Sequence, residues 1–105
     1  MGSSRTSVRA TRTRIATVIA TLIRIVGGLF VLILVAHVLL TLGNANPANG
    51  ITMFVKYWAD RLQLGFRDLF NPADAKTRLV INYGIPALFW LVVTWVLVRL
   101  VRRLG

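Results

Sequence analysis

The chain contains no cysteine and no glutamate, and across 105 residues it has a single histidine, His37, and three aspartates, Asp60, Asp68 and Asp74. Without cysteine there is no disulfide framework, no thiol nucleophile and no thiolate-held metal or cluster. With one histidine, a metal site would need ligands from other chains, so no cofactor or metal is expected. The three carboxylates lie beside Arg61, Arg67, Lys76 and Arg78. That arrangement points to local ion pairing, with Lys56 and Asp60 at the i,i+4 spacing of a helical pair, rather than to acid–base work. There is no Ser/His/Asp constellation and no Gly-rich phosphate loop after a strand. An enzyme is not expected.

Charge is scarce and one-sided. Charged residues make up 15% of the chain, against about a quarter in soluble domains, yet thirteen Lys and Arg give a net charge of +10. A nucleic-acid binder spreads such charge over a polar surface. Here 56% of residues are hydrophobic, mean hydropathy is +0.70, and the positive residues bracket two long apolar runs. The expected partner is a lipid bilayer, together with other membrane subunits or further copies of the chain, and not nucleic acid.

The first run, residues 25–42, reads IVGGLFVLILVAHVLLTL; the second, residues 79–98, reads LVINYGIPALFWLVVTWVLV. Neither holds a formal charge, and at 1.5 Å per residue they cover about 27 and 30 Å, the thickness of a hydrocarbon core. The first run has the basic flank of a secretory signal, but it exceeds a signal's apolar stretch and a second span follows. It reads as an uncleaved anchor. The fold class expected is an all-α membrane protein: two transmembrane helices in a hairpin, an amphipathic interfacial helix between them, and a basic N-terminal lead-in helix.

The divisions expected within this one membrane domain are a flexible basic tail over 1–12, a lead-in and first transmembrane helix over 13–42, a turn over 43–50, an amphipathic helix over 51–70, and a second long helix over 72–103. Arg5, Arg9, Arg12, Arg14 and Arg24 precede the first span and Arg99, Arg102 and Arg103 follow the second, while five positive residues lie between. The bias places both termini in the cytoplasm, with a bacterial plasma membrane as the expected location. These eight arginines are candidates for lipid-headgroup contact.

In the connector, Ile51, Phe54, Val55, Trp58, Ala59, Leu62, Phe66 and Leu69 share one side of a helical wheel and Lys56, Asp60, Gln63 and Arg67 the other. The helix is expected flat on the membrane or against a partner, through Phe54, Trp58, Leu62, Phe66 and Leu69 with Arg67 beside them. Asn71 and Pro72 are the expected start of the last helix, Asn as N-cap and Pro in the first turn. Within that helix, Pro86 removes one backbone donor, so a kink or local unwinding is expected there.

Counting depth from the outer ends sets His37 level with residues 82–86. Asn82, Tyr83 or a freed carbonyl are its expected hydrogen-bond partners, with Gly84 permitting close approach. By the same count Thr94 lies near Gly27 and Gly28, a second packing point.

The stretch Asp60-Arg61-Leu62-Gln63-Leu64-Gly65-Phe66-Arg67-Asp68-Leu69-Phe70-Asn71-Pro72 resembles the signature of the YggT family, small membrane proteins of bacteria and plastids. That signature runs roughly D-P-L-L-x-P-F-R-x-L-I-P-P between two spans. The matching positions are Asp60, Leu62, Phe66, Arg67, Leu69 and Pro72; Arg61 and Gly65 stand where the family has prolines. The layout extends over residues 27–98. The resemblance implies a non-enzymatic membrane protein, of a family with proposed roles in cell division, osmotic tolerance and the assembly of photosynthetic complexes, and it carries over no catalytic residue.

Three functions fit these observations: a structural, accessory or assembly subunit of a membrane complex; a homo-oligomeric channel or transporter subunit with His37 and the Pro86 kink on its pathway; and a sensor of anionic lipid at the membrane surface.

Overall fold

The computed structural model describes the backbone of residues 2–64 and 73–105, with side chains from residue 7 onward. Its regular structure among the described residues is all helical, with three helices: α1 Gly2–Leu42, α2 Gly50–Leu62 and α3 Ala75–Leu104. Two of them, α1 and α3, are long and apolar enough to cross a membrane.

Helix α1 begins at Gly2 and so takes in the residues expected as a flexible tail. Between Ser3 and Val26 the chain has neither glycine nor proline to interrupt it. It stops in a Schellman turn: Ala45 N–H donates to Leu40 O at 2.9 Å and Asn44 N–H to Thr41 O at 3.1 Å. Asn44, at φ 57°, takes the left-handed position that asparagine tolerates better than most side chains.

Asn46 Oδ1 then accepts from Ala48 N–H, and Asn49 caps α2 by accepting from Ile51 N–H at 2.9 Å. The asparagines of the turn thus supply partners to backbone donors that no helix satisfies.

Helix α2 ends at Leu62 rather than near residue 70. Gln63 N–H closes the last turn onto Ala59 O, and Leu64 at φ 56° turns the chain out of the helix. Helix α3 starts later than expected, at Ala75. Its N-cap is Asp74, whose Oδ2 accepts from Thr77 N–H at 3.0 Å and from Thr77 Oγ1 at 2.7 Å. The Thr77 hydroxyl, and then its backbone N–H, hold the Asp74 carboxyl below the usual carboxylate range. Asn71 and Pro72 lie outside the described residues. Across Pro86 the helix is continuous, without the expected unwinding, and Pro86 is fully buried.

The inward side chains of α1 are Ala16, Ala20, Ile23, Gly27, Phe30, Leu34 and His37. Their separations alternate between four and three, the spacing of a helix seam that stays on one neighbour. That neighbour is α3. Gly105 lies over Ala16, Thr94 over Gly27, Trp90 against Phe30 and Tyr83 against His37, so numbers fall along α3 as they rise along α1. Helix α2 packs on α1, and the core closes where Leu34, Ala59, Leu62, Tyr83 and Ala87 meet.

Candidate functional site

Polar side chains from all three helices converge where α2 leans on the other two. The inward side of α2 is Val55, Ala59 and Leu62, one helical stripe. Ala59 is completely buried, and its small side chain lets α2 come close. This approach turns Asp60 toward α3. Tyr83 donates its hydroxyl to Asp60 Oδ1 at 2.6 Å, the length of a hydrogen bond to a charged acceptor. The Tyr83 ring meets the buried His37 edge to face, with centroids 4.4 Å apart and planes at 63°. His37, Tyr83 and Asp60 therefore form one connected group, each from a different helix.

A second bond holds α2 to α3. Trp90 Nε1 donates to Leu62 O at 2.9 Å, satisfying one of the carbonyls that a helix C-terminus leaves unpaired. Trp90 also meets Phe30 edge to face at 4.9 Å, a contact worth about 0.5–1.5 kcal/mol beyond burial.

Beside the group is a cavity of about 580 Å³ lined by His37, Lys56, Tyr57, Asp60, Leu79 and Tyr83 among others. It presents an imidazole, an ammonium, a carboxylate and a phenol. Arg61 is turned away: its Nη1 donates to Tyr57 O at 3.2 Å and its guanidinium lies 3.4 Å from the centre of the Tyr57 ring.

Compared with known protein families, curated proteins and solved structures, the chain matches none.

Of the residues singled out from the sequence, the structure brings together His37 with Tyr83 and Gly27 with Thr94. The first pair meets through ring edges, since the Tyr83 hydroxyl is directed to Asp60. That bond replaces the expected Lys56–Asp60 ion pair, because Asp60 sits on the edge of α2 that faces α3. Asn82 is buried, and its Oδ1 has no hydrogen-bond partner among the described residues. At Gly27 an added Cβ would overlap the Thr94 side chain, whose hydroxyl folds back onto Trp90 O at 2.6 Å. Gly28 and Gly84 have open space where a Cβ would stand, so the close approach is Gly27's.

The apolar side expected of α2 is divided: Leu62 is in the core, while Phe54 and Trp58 face outward and touch each other. Phe66, Arg67 and Leu69 lie outside the described residues, as does the Arg5 side chain. Arg9, Arg12, Arg14, Arg24, Arg99, Arg102 and Arg103 are exposed.

Three features went unread in the sequence: the Ala16–Ala20 stripe, the Tyr83–Asp60 bond and the Trp90 cap on α2. The alternating four-and-three spacing from Ala16 to His37 was the available signal for the stripe. The two bonds join residues 23 and 28 positions apart and left no local signal.

Proposed function

We propose that the chain is a two-span membrane protein without catalytic activity, serving as a structural, accessory or assembly subunit of a larger membrane complex. The observation that carries this reading is the outward exposure of apolar side chains along both long helices. In each, 17% of the most apolar window is buried, whereas the core helix of a soluble protein is mostly covered. Leu32, Leu39 and Leu88, for instance, are all more than 60% exposed. Such surface is stable against lipid tails or protein, and costly in water at about 25 cal/mol per Å².

In this reading α1 and α3 form the hairpin, and α2 is a short amphipathic helix dipping beside them rather than lying flat. The bonds from Tyr83 and Trp90 support the dip, since both partners belong to the second apolar run. Backbone that leaves a helix at membrane depth needs internal partners, and the Trp90 bond to Leu62 O is of that kind.

Apolar surface also continues beyond the span. Ile15, Val18, Ile19 and Leu22, on the cytoplasmic side of Arg24 in the proposed topology, are exposed while the alanines between them face α3. Phe54 and Trp58 offer a second apolar patch at the other end. A partner surface at either end fits an accessory role, as does the resemblance to the YggT family. The proposed setting is a bacterial plasma membrane with both termini in the cytoplasm.

Mild-detergent purification from native membranes tests this reading. A partner recovered in fixed stoichiometry is expected; recovery of the chain only as a free monomer would overturn it.

The cavity beside His37 favours a second reading, a homo-oligomeric channel or transporter subunit. His37 lines that cavity, whereas Pro86 is buried away from it. This reading predicts liposome flux that falls in His37→Ala, and equal flux from empty and protein-loaded vesicles would sink it.

A further inference from the structure

At the end of the α1–α3 pair remote from α2 is a groove of about 680 Å³ whose rim carries Arg24, Arg99, Arg102 and Arg103. Three of these follow from α3's own period: positions 99, 102 and 103 fall on one side of a helix, in line with Trp95 and Leu91. Arg24 comes from α1. The described aspartates are engaged elsewhere, Asp60 with Tyr83 and Asp74 with Thr77, and neither lines the groove.

The helix dipole accounts for part of this. Arg102 and Arg103 are in the last turn of α3, where the partial negative charge of free carbonyls favours cations. Arg24 gains nothing from that terminus, and it closes the ring of positive charge from the other helix. Like charges gathered this way repel one another unless an anion joins them. Guanidinium groups present fixed, paired donors that match phosphate oxygens.

Apart from Thr94, whose hydroxyl donates to Trp90 O, the groove floor is apolar. Leu91 lies twelve residues before Arg103 on α3, about 18 Å along the axis, and between them Trp95 and Val98 continue the wall. Trp95 is 61% exposed, with the Arg99 guanidinium 5.2 Å from its ring centre. Indole rings in that position suit the headgroup level of a membrane. A ligand fitting both parts is anionic at one end and a hydrocarbon chain at the other.

We infer that this groove binds an anionic phospholipid, its phosphate held by Arg24, Arg99, Arg102 and Arg103 and an acyl chain lying along Leu91, Trp95 and Val98. The inference rests on the membrane reading above, and it specifies a built site where general basic character would give only diffuse attraction.

The test uses the full chain in nanodiscs of phosphatidylcholine containing a minor share of phosphatidylglycerol or cardiolipin, with retained lipid read by native mass spectrometry. Removing three charges from the groove (Arg24→Ala, Arg99→Ala and Arg102→Ala together) is expected to lower the preference for anionic over zwitterionic lipid about tenfold or more. Removing three from the lead-in (Arg9→Ala, Arg12→Ala and Arg14→Ala) is expected to lower it about twofold. Equal losses would show diffuse attraction and overturn the site.

The same three groove positions changed to lysine keep the charge and lose the paired donors, so an intermediate loss is expected; full retention would overturn the role of the guanidinium geometry. Soluble glycerol phosphate in excess should leave the bound lipid in place, and its displacing the lipid would reassign the groove to a free phosphate compound. Circular dichroism of each variant checks that the helices persist. Alkaline extraction separates the two failures. Release of the chain from membranes would overturn the membrane reading, while a chain that stays but shows no anionic preference would overturn this inference alone.

Discussion

The two ends of the α1–α3 pair are built from opposite kinds of residue. From Ala16 to Gly27 the α1 seam is mostly small, and it meets Thr94 and the terminal Gly105 at close range. From Phe30 to His37 it is bulky, and it meets Trp90 and Tyr83 through ring edges. Small residues bring two helices together and leave no room between them; large ones hold them apart. The third helix sits at the bulky end, as do the buried histidine and the polar cavity. At the small end the Thr94 hydroxyl is turned back onto its own helix at Trp90 O, and the charged groups stand on the rim. The size of seam residues thus decides where this fold can house a site of mixed chemistry and where it can only carry one on its surface.

The bulky end carries two long-range polar bonds, and the largest predicted effect concerns the one from Tyr83 to Asp60. Hydrogen bonds to charged groups contribute about 1.5–3 kcal/mol. Tyr83→Phe and Asp60→Ala should therefore each destabilise the fold, and the double variant should lose less than the sum by a coupling in that range. A double-mutant cycle on thermal unfolding in detergent measures this. Additive losses would show that the Tyr83–Asp60 bond does not hold α2. In the same experiment Trp90→Phe, which keeps the ring against Phe30 and removes the bond to Leu62 O, should cost about 0.5–1.5 kcal/mol.

The small end is sharpened by Gly27→Ala. A methyl group there has nowhere to go, since Thr94 Oγ1, Cγ2 and Cβ all occupy its place. Overpacking of this kind costs about 1–3 kcal/mol. Gly28→Ala, one residue along, points into open space and should be neutral or slightly stabilising, because alanine favours helix by up to about 1 kcal/mol over glycine. Thr94→Ala should recover part of the Gly27→Ala loss by removing the hydroxyl and methyl. If the two glycine variants melt alike, the close approach at Gly27 does not hold the pair together.

These contrasts also mark where the sequence was readable. The apolar runs were plain because their length and lack of charge are local properties. Counting depth along them set His37 beside Tyr83 and Gly27 beside Thr94 because both helices rise by the same amount per residue. The choice of inward side was not plain. Ile15, Val18, Ile19 and Leu22 form the more hydrophobic side of the lead-in, yet Ala16 and Ala20 face α3, since close approach of two backbones favours small side chains over greasy ones. The same substitution of criteria explains α2: Phe54 and Trp58 look like its packing residues, and Ala59 is the one fully buried. A helical wheel pairs Asp60 with Lys56, four residues away, because it shows only local partners. The actual partner of Asp60 arrives from α3.

The smallest effect concerns the entry to α3, which neither seam reaches. Asp74 caps that helix through Thr77, whose hydroxyl and backbone N–H favour the ionised carboxyl and so depress its pKa in the folded chain. A depressed pKa means that the folded state releases the proton more readily than the unfolded one. The capping contribution is therefore complete above the unfolded value of about 3.9, and it is lost as pH falls through the lower folded value. Amide exchange at Thr77 and Arg78 should be steady from neutral pH to about pH 4, once corrected for intrinsic rate, and should accelerate below that. Asp74→Asn keeps a capping oxygen but cannot ionise, so it should remove this acid-dependent step while leaving protection at neutral pH nearly intact. Thr77→Val, which deletes the hydroxyl, should move the step toward the ordinary carboxylate value. An unchanged acid profile in Asp74→Asn would place the titrating group elsewhere and leave the cap without an electrostatic part.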